Sequence, residues 1–146
     1  MTRVEVLKAR LLQDSIITSM TEGRIFNATA PARYTDSISG LNKPIEYPYI
    51  VFRQIGSSPS VVDADEVHDY SYSIECYARN ITDADRIGKH VKYTLSQSRA
   101  MITTDTYTKI MAGIILGESV NNYDTEKISV YAVDVKITFK ELLKWM

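Results

Sequence analysis

The chain is poor in the residues that usually carry chemistry. It has one cysteine, Cys76, and two histidines, His68 and His90, in 146 residues. A single cysteine excludes an internal disulfide and suits a reducing compartment. A zinc centre needs three or four close ligands, which these residues do not supply. His68 and Cys76 share one face of an extended segment, but roughly 26 Å of strand separates them, too far for a nucleophile and its base. No Gly-Lys pair follows the Gly56-Ser57-Ser58-Pro59-Ser60 stretch and no G-x-S-x-G frames it, so it is neither a phosphate loop nor a nucleophile elbow. A basic excess is missing as well. The 17 Lys and Arg stand against 18 Asp and Glu, a net charge of −1, which argues against nucleic acid as the main partner. No apolar run approaches the roughly 20 residues of a membrane span. The N-terminus, charged throughout, lacks the apolar core of a signal peptide. These absences predict a protein made in a cytoplasm, with no cofactor, no metal, no membrane contact and no catalytic site. The densest acidic group, Asp63, Asp65, Glu66 and Asp69, lacks calcium-loop spacing and reads as a solvated loop.

What the chain has is tyrosine: 10 copies, against 3 Phe and 1 Trp. An apolar ring with a polar tip tolerates exposure in one state and burial in another, and interfaces favour it.

The length suits one domain, 1–146. Val4, Leu7, Leu11, Leu12, Ile16 and Met20 form an apolar stripe that predicts one helix over 3–20, with Gly23 as its stop. Residues 28–46, punctuated by Pro31, Gly40 and Pro44, read as a long loop without an element, the kind that is functional or mobile. Residues 47–55 and 67–79 read as strands. Thr82 is placed as the cap of a helix over 82–97, with Ala84, Ile87, Val91 and Leu95 buried and Asp85 paired with Lys89. Residues 107–118 predict a third strand, with Ile110, Ala112, Ile114 and Leu116 on one face. Asn121, Asn122, Asp124 and Thr125 predict a turn. Residues 127–140 alternate most cleanly, with Tyr131, Val133, Val135, Ile137 and Phe139 facing one way. The tail, 141–146, predicts a helical turn. The fold class is α+β: a four-stranded, mostly antiparallel sheet with two helices on one face, in the order α-β-β-α-β-β. Its expected core is Leu7, Leu11, Ile50, Phe52, Ile74, Ile87, Val91, Leu95, Ile114, Val133, Val135 and Ile137.

The 67–79 segment is the odd element. Strands usually stop at about 5–6 residues, and one this long either protrudes or pairs with something outside its domain. Tyrosines 34, 47, 49, 70, 72 and 77 cluster in the same third of the chain. Candidate contact residues are therefore Tyr34, Tyr47, Tyr49, Tyr70, Tyr72 and Tyr77, with Arg33, Lys43, Asp63, Asp65 and Glu66 as charges that could set register. Lys136 and Lys140 share the polar face of the last strand, where they would form a band if the subunit were repeated in a ring.

Several patterns in this order resemble the tail-terminator, or tail-completion, proteins of long-tailed bacteriophages. They are an N-terminal helix and long loop, Pro44 leading into Y-P-Y-I-V-F at 47–52, I-E-C-Y-A-R at 74–79, the helix I-T-D-A-D-R-I-G-K-H-V-K-Y-T-L at 81–95, and D-T-E-K-I-S-V-Y-A-V-D-V-K-I-T-F at 124–139. The resemblance implies a non-enzymatic virion protein of the tail and neck. In that family, usually six copies close into a ring on the tail-tube end, stop its polymerisation and offer a docking surface to the head-side connector. Implied partners are the chain itself, the tail-tube protein and a head-completion or connector protein, with DNA only passing through. The alternatives are a small regulatory or ligand-binding module, a small hydrolase, and a head-completion or neck protein of the same virion region. Lys136 and Lys140 would then face the lumen.

Overall fold

The computed structural model describes residues 3–31, 33–35, 40, 42–59, 67–96, 108–123 and 127–141. Three helices, α1 (Arg3–Leu12), α2 (Ser15–Thr21) and α3 (Ile81–Ser96), accompany seven strands. The strands are β1 (Ile25–Asn27), β2 (Arg33–Thr35), β3 (Asn42–Pro44), β4 (Tyr49–Pro59), β5 (Val67–Ala78), β6 (Thr108–Tyr123) and β7 (Ile128–Glu141). Five of them form one sheet in the order β1-β4-β5-β7-β6, and β2 and β3 form a separate two-stranded ribbon. The fold is α+β as expected. The sheet, however, has five strands and is mixed, because β1 runs parallel to β4, and three helices replace two.

The N-terminal stripe forms two helices because Asp14 breaks it. Asp14 is extended (φ −79°, ψ 122°), and its Oδ1 accepts from the N–H groups of Ile16 at 2.9 Å and Ile17 at 3.1 Å. A carboxylate that satisfies the first free donors of a helix starts a new one. The stripe survives the corner, since Val6, Leu7, Leu11 and Ile17 all enter the core. Glu22 at φ 53° and Gly23 at φ 83° end α2, as Gly23 predicts. The chain then enters β1 at once. The Ile50 N–H donates to the Arg24 carbonyl and the Ala28 N–H to the Phe52 carbonyl, so three residues too few to show a period still complete a ladder. The expected element-free loop over 28–46 contains the β2–β3 ribbon, with Tyr34 opposite Lys43.

β5 is the centre of the sheet. It pairs with β4 along one side, from His68 to Tyr77, and with β7 along the other, from Val67 to Ala78. The expectation that its length serves an outside partner is therefore corrected, because both of its ladders are filled from within the chain. Alternation puts Tyr72, Ile74, Cys76 and Ala78 of β5 on the helix side with Tyr131, Val133, Val135, Ile137 and Phe139 of β7, all buried. Leu7, Leu11, Ile17, Ala84, Ile87, Val91 and Leu95 close the core from the helices. Among the expected core residues, Ile114 is misplaced, at 53% exposure. The register of β6 on β7 shifts between Ile110 and Ala112 and again between Ile115 and Gly117. Each shift inserts a residue and reverses the faces, so Ile115 packs on the core while Ile114 and Leu116 do not. β6 also runs through Asn121 and Asn122 to Tyr123, into the expected turn, whose Asp124 and Thr125 fall outside the described residues. The 141–146 helical turn falls, apart from Glu141, outside the described residues.

α3 is capped by Asn80 rather than Thr82. The Asp83 N–H donates to Asn80 Oδ1 at 2.8 Å and the Asn80 side-chain amide donates to the Asp83 carboxylate at 3.1 Å, a reciprocal cap two residues earlier than the Thr82–Asp85 spacing suggests. Lys89 and Asp85 pair at 2.9 Å. Two glycines set how closely α3 lies on the sheet. A Cβ at Gly88 would come within 2.2 Å of the Tyr131 ring, and one at Gly113 within 1.8 Å of the Leu95 carbonyl oxygen.

Two predictions follow from this packing. Gly88→Ala on an open helix face should gain about 1 kcal/mol. Here the collision with Tyr131 reverses the sign, and we expect a loss of about 1–3 kcal/mol in urea unfolding, with a larger loss for Gly88→Val. A neutral or stabilised Ala variant would mean that α3 stands further from β7. The second concerns Asp14, whose carboxylate also accepts from Thr94 Oγ1 at 3.2 Å and contacts His90 Nδ1 at 3.0 Å. Burial pushes its pKa up, but the bonds from Ile17, His90 and Ile16 together outweigh burial and leave it below the usual value. A depressed folded pKa adds stability above the unfolded value, about 3.9, that is lost as pH falls through the folded pKa. Asp14→Ala should cost about 0.5–2 kcal/mol at neutral pH, and the gap to wild type should close below about pH 4. Asp14→Asn, which still caps, should cost less. A gap that stays constant down to the acid limb would show that the charge contributes nothing.

Candidate assembly interface

Of the one cysteine and two histidines, the fold buries Cys76 and holds His90. Cys76 is fully buried in the core, and burial pushes its thiol far above the ordinary range, the opposite of a reactive thiolate. His90 is held by Asp14, linking α3 to the α1–α2 corner. His68 is half-buried near the end of β5, its ring 6.3 Å from that of Tyr70. Among the described residues, no three His, Cys, Asp or Glu side chains gather as a metal site would require.

The predicted contact tyrosines divide between the two faces of the sheet. Tyr72 lies in the core at 1% exposure, edge-on to Phe52 and Phe139. It leaves no surface to a partner, and the alternation that made it a candidate is the alternation that buries it. Tyr70, on the same face, is half-buried with the Arg3 guanidinium 3.9 Å above its ring. The helix-free face holds Tyr49 stacked on Tyr77 at 4.8 Å, with Tyr47 tilted 5.1 Å away and Phe26 edge-on at 6.3 Å. The Arg79 guanidinium covers Tyr47 at 4.2 Å. Tyr49 is itself buried, and burial followed by its neighbour Tyr47 raises its hydroxyl well above the ordinary value. Pro48 stands just before β4, where a missing N–H breaks no ladder bond. Phe26, Tyr47 and Tyr77, all half-buried, are the rings of this cluster with surface left to offer.

Along the centre of the sheet the rest of the helix-free face is largely polar. Arg53 of β4 pairs with Glu75 of β5, Thr138 donates to Asp69 at 2.6 Å, and half-buried Lys136 lies across from Ser71. Lys140 stands opposite Val67 in the same ladder. Arg33, Tyr34 and Lys43 lie on the β2–β3 ribbon, which pairs with neither edge of the main sheet. Asp63, Asp65 and Glu66 fall outside the described residues.

The apolar surface sits elsewhere, on residues that sequence reasoning missed as contacts. Ile114, Leu116, Val120 and Tyr123 of β6 and Ile55 of β4 are 44–56% exposed. β6 is an outer strand, and among the described residues nothing pairs with its far side. Among the described residues β1 covers β4 only at Ile50, Val51 and Phe52, and none pairs with the same side of 53–59, which makes a second open edge. Ile55 sits at the register shift between Gln54 and Gly56. The signal was present: Gly56, Gly113 and Gly117 each stand beside a shift, and a glycine inside a strand pattern marks a bulge. Lys92 of α3 reaches Glu118 of β6 at 2.6 Å, and Tyr131 also donates to Glu118. These contacts, led by the one from Lys92, hold the Glu118 carboxyl below its usual pKa. They secure the inner side of β6 and leave its outer side bare.

Comparison with known proteins gives three results. No curated protein matches the sequence. Among solved structures, a chain in "Virion of native gene transfer agent (GTA) particle" matches with a TM-score of 0.60 at 12% identity, over 93% of this chain and 92% of that one. At that identity the likeness shows a shared fold. A family model described as "Tail completion protein gp17" matches residues 5–112, a span that runs from the first helix through the central hairpin and α3 into β6, and the chain therefore belongs to the tail completion protein gp17 family.

Proposed function

We propose that this protein is a structural, non-enzymatic component of a virion tail. Copies of the chain, six by the family resemblance, close into a ring on the end of the tail tube, stop its polymerisation and present a surface to the head-side connector. It is made in the host cytoplasm and resides in the tail and neck of the particle. The family match over residues 5–112 carries this reading. Two features of the molecule favour it over an enzyme or a ligand-binding module: Cys76 is buried and His90 is held by Asp14, and most of the exposed large hydrophobic residues lie on β4 and β6 at the two sides of the sheet. A ring gives such edges a partner and removes the hazard they pose in solution. The β2–β3 ribbon, with Arg33, Tyr34 and Lys43, is proposed as a contact arm, since a lone two-stranded ribbon is marginal in water without something to pack on. Lys136 and Lys140 are proposed to face the lumen, where DNA passes.

A second reading, a head-completion protein of the neck, fits the same virion match. Complementation separates the two. A phage lacking this gene should make tails of abnormal length if the protein ends the tube. Tails of normal length that fail to join heads would assign it to the neck. Light scattering on the purified protein, alone and mixed with tail tubes, should find a hexamer under at least one condition. A deletion of residues 33–41 should leave the chain folded and unable to complement, and normal titre from that variant would remove the ribbon from the contact.

A further inference from the structure

We infer that the subunits join by continuing the sheet: the outer edge of β6 in one copy pairs antiparallel with residues 53–59 of β4 in the next. The inference rests on the ring reading above and specifies its contact. β4 is antiparallel to β5, β5 to β7, and β7 to β6, so β4 and β7 run one way and β5 and β6 the other. A second copy set beside the first in the same orientation therefore brings its β4 against β6 with antiparallel polarity, the commoner pairing. The two edges lie on opposite sides of one sheet and differ from each other, so the contact is heterologous and repeats until a rotation closes it.

Both edges have the chemistry this requires. β6 exposes Ile114, Leu116 and Val120, and β4 exposes Ile55. Ile55, Ile114 and Leu116 fall at or beside a register shift, where a bulge turns side chains off the face that parity would assign them, and Val120 lies further along the same strand. A two-fold pairing of β6 with β6 would also be antiparallel. It would leave residues 53–59 and Ile55 in water in every copy. Only the β6-to-β4 contact uses both edges, and strand addition supplies backbone bonds with side chains for specificity.

The full chain is tested as Ile55→Cys combined in turn with Ile114→Cys, Leu116→Cys or Val120→Cys, treated with a short bis-maleimide. Cys76 is buried and does not compete. At least one double variant should give a ladder extending beyond the dimer on a denaturing gel, while the four single variants stay monomeric. Leu116→Lys, at a site already 56% exposed, should keep the monomer fold by circular dichroism and weaken self-association by ~30-fold or more, the scale of an interface hot spot. Tyr93→Lys on α3, where Tyr93 is 61% exposed, should leave association unchanged. The inference is overturned if light scattering finds a ring and no double variant cross-links, or if a single β6 variant cross-links to a dimer as fully as the doubles. A wild type that is monomeric at every concentration and on tail tubes overturns the ring reading, and this contact with it.

Discussion

The molecule is organised around a strand that is paired on both sides. β5 pairs with β7 from Val67 to Ala78 and with β4 from His68 to Tyr77, and a buried backbone must find partners for its N–H and C=O groups. That one requirement places β4 and β7 and aims the alternating side chains of β5 at the helices. The aliphatic and aromatic residues of the helix side follow from it, because one side of a centrally paired strand has to be covered. The helices meet that demand on one face only. On the other face a small aromatic cluster and a set of polar pairs suffice.

Completeness at the centre displaces incompleteness to the margins. Strands added outward from β5 end in β6 on one side. On the other they end in a β4 that β1 covers for three residues. The glycines that let α3 approach closely belong to the same economy. Gly88 and Gly113 bring helix and sheet together until backbone meets ring and backbone meets carbonyl, so the inner side of β6 is fixed while its outer side is not. A strand held firmly on one side and open on the other is a prepared template for a partner, with little ordering left to do on association.

Much of this was legible in the residues. The alternation at 127–140 and 67–79, the apolar stripes and the β-rich class all follow from period alone. The rest was hidden for identifiable reasons. A three-residue strand such as β1 has no period to detect. The corner at Asp14 keeps the stripe in phase, so one pattern covers two helices. The bulges in β6 cancel in pairs, which preserves apparent alternation while moving Ile114 to the surface. Burial of Tyr72 against exposure of Tyr123 depends on which face the helices cover, a tertiary fact that composition does not carry. The length of β5 was noticed for a sound reason and assigned to the wrong strand: an over-long sheet element does imply an open edge, but the edge belongs to the outermost strand.

Cys76 has a use of its own. It is the one thiol of the chain, fully buried on the central strand and opposite both Ile50 and Tyr131. No reagent reaches it until the helices that cover this face lift from the sheet or the sheet itself opens. Its labelling rate in native buffer therefore clocks exposure of the core, while amides at the frayed margins exchange through cheaper fluctuations. The protein thus carries a built-in chronometer for its own cooperativity, and it needs no substitution to read it.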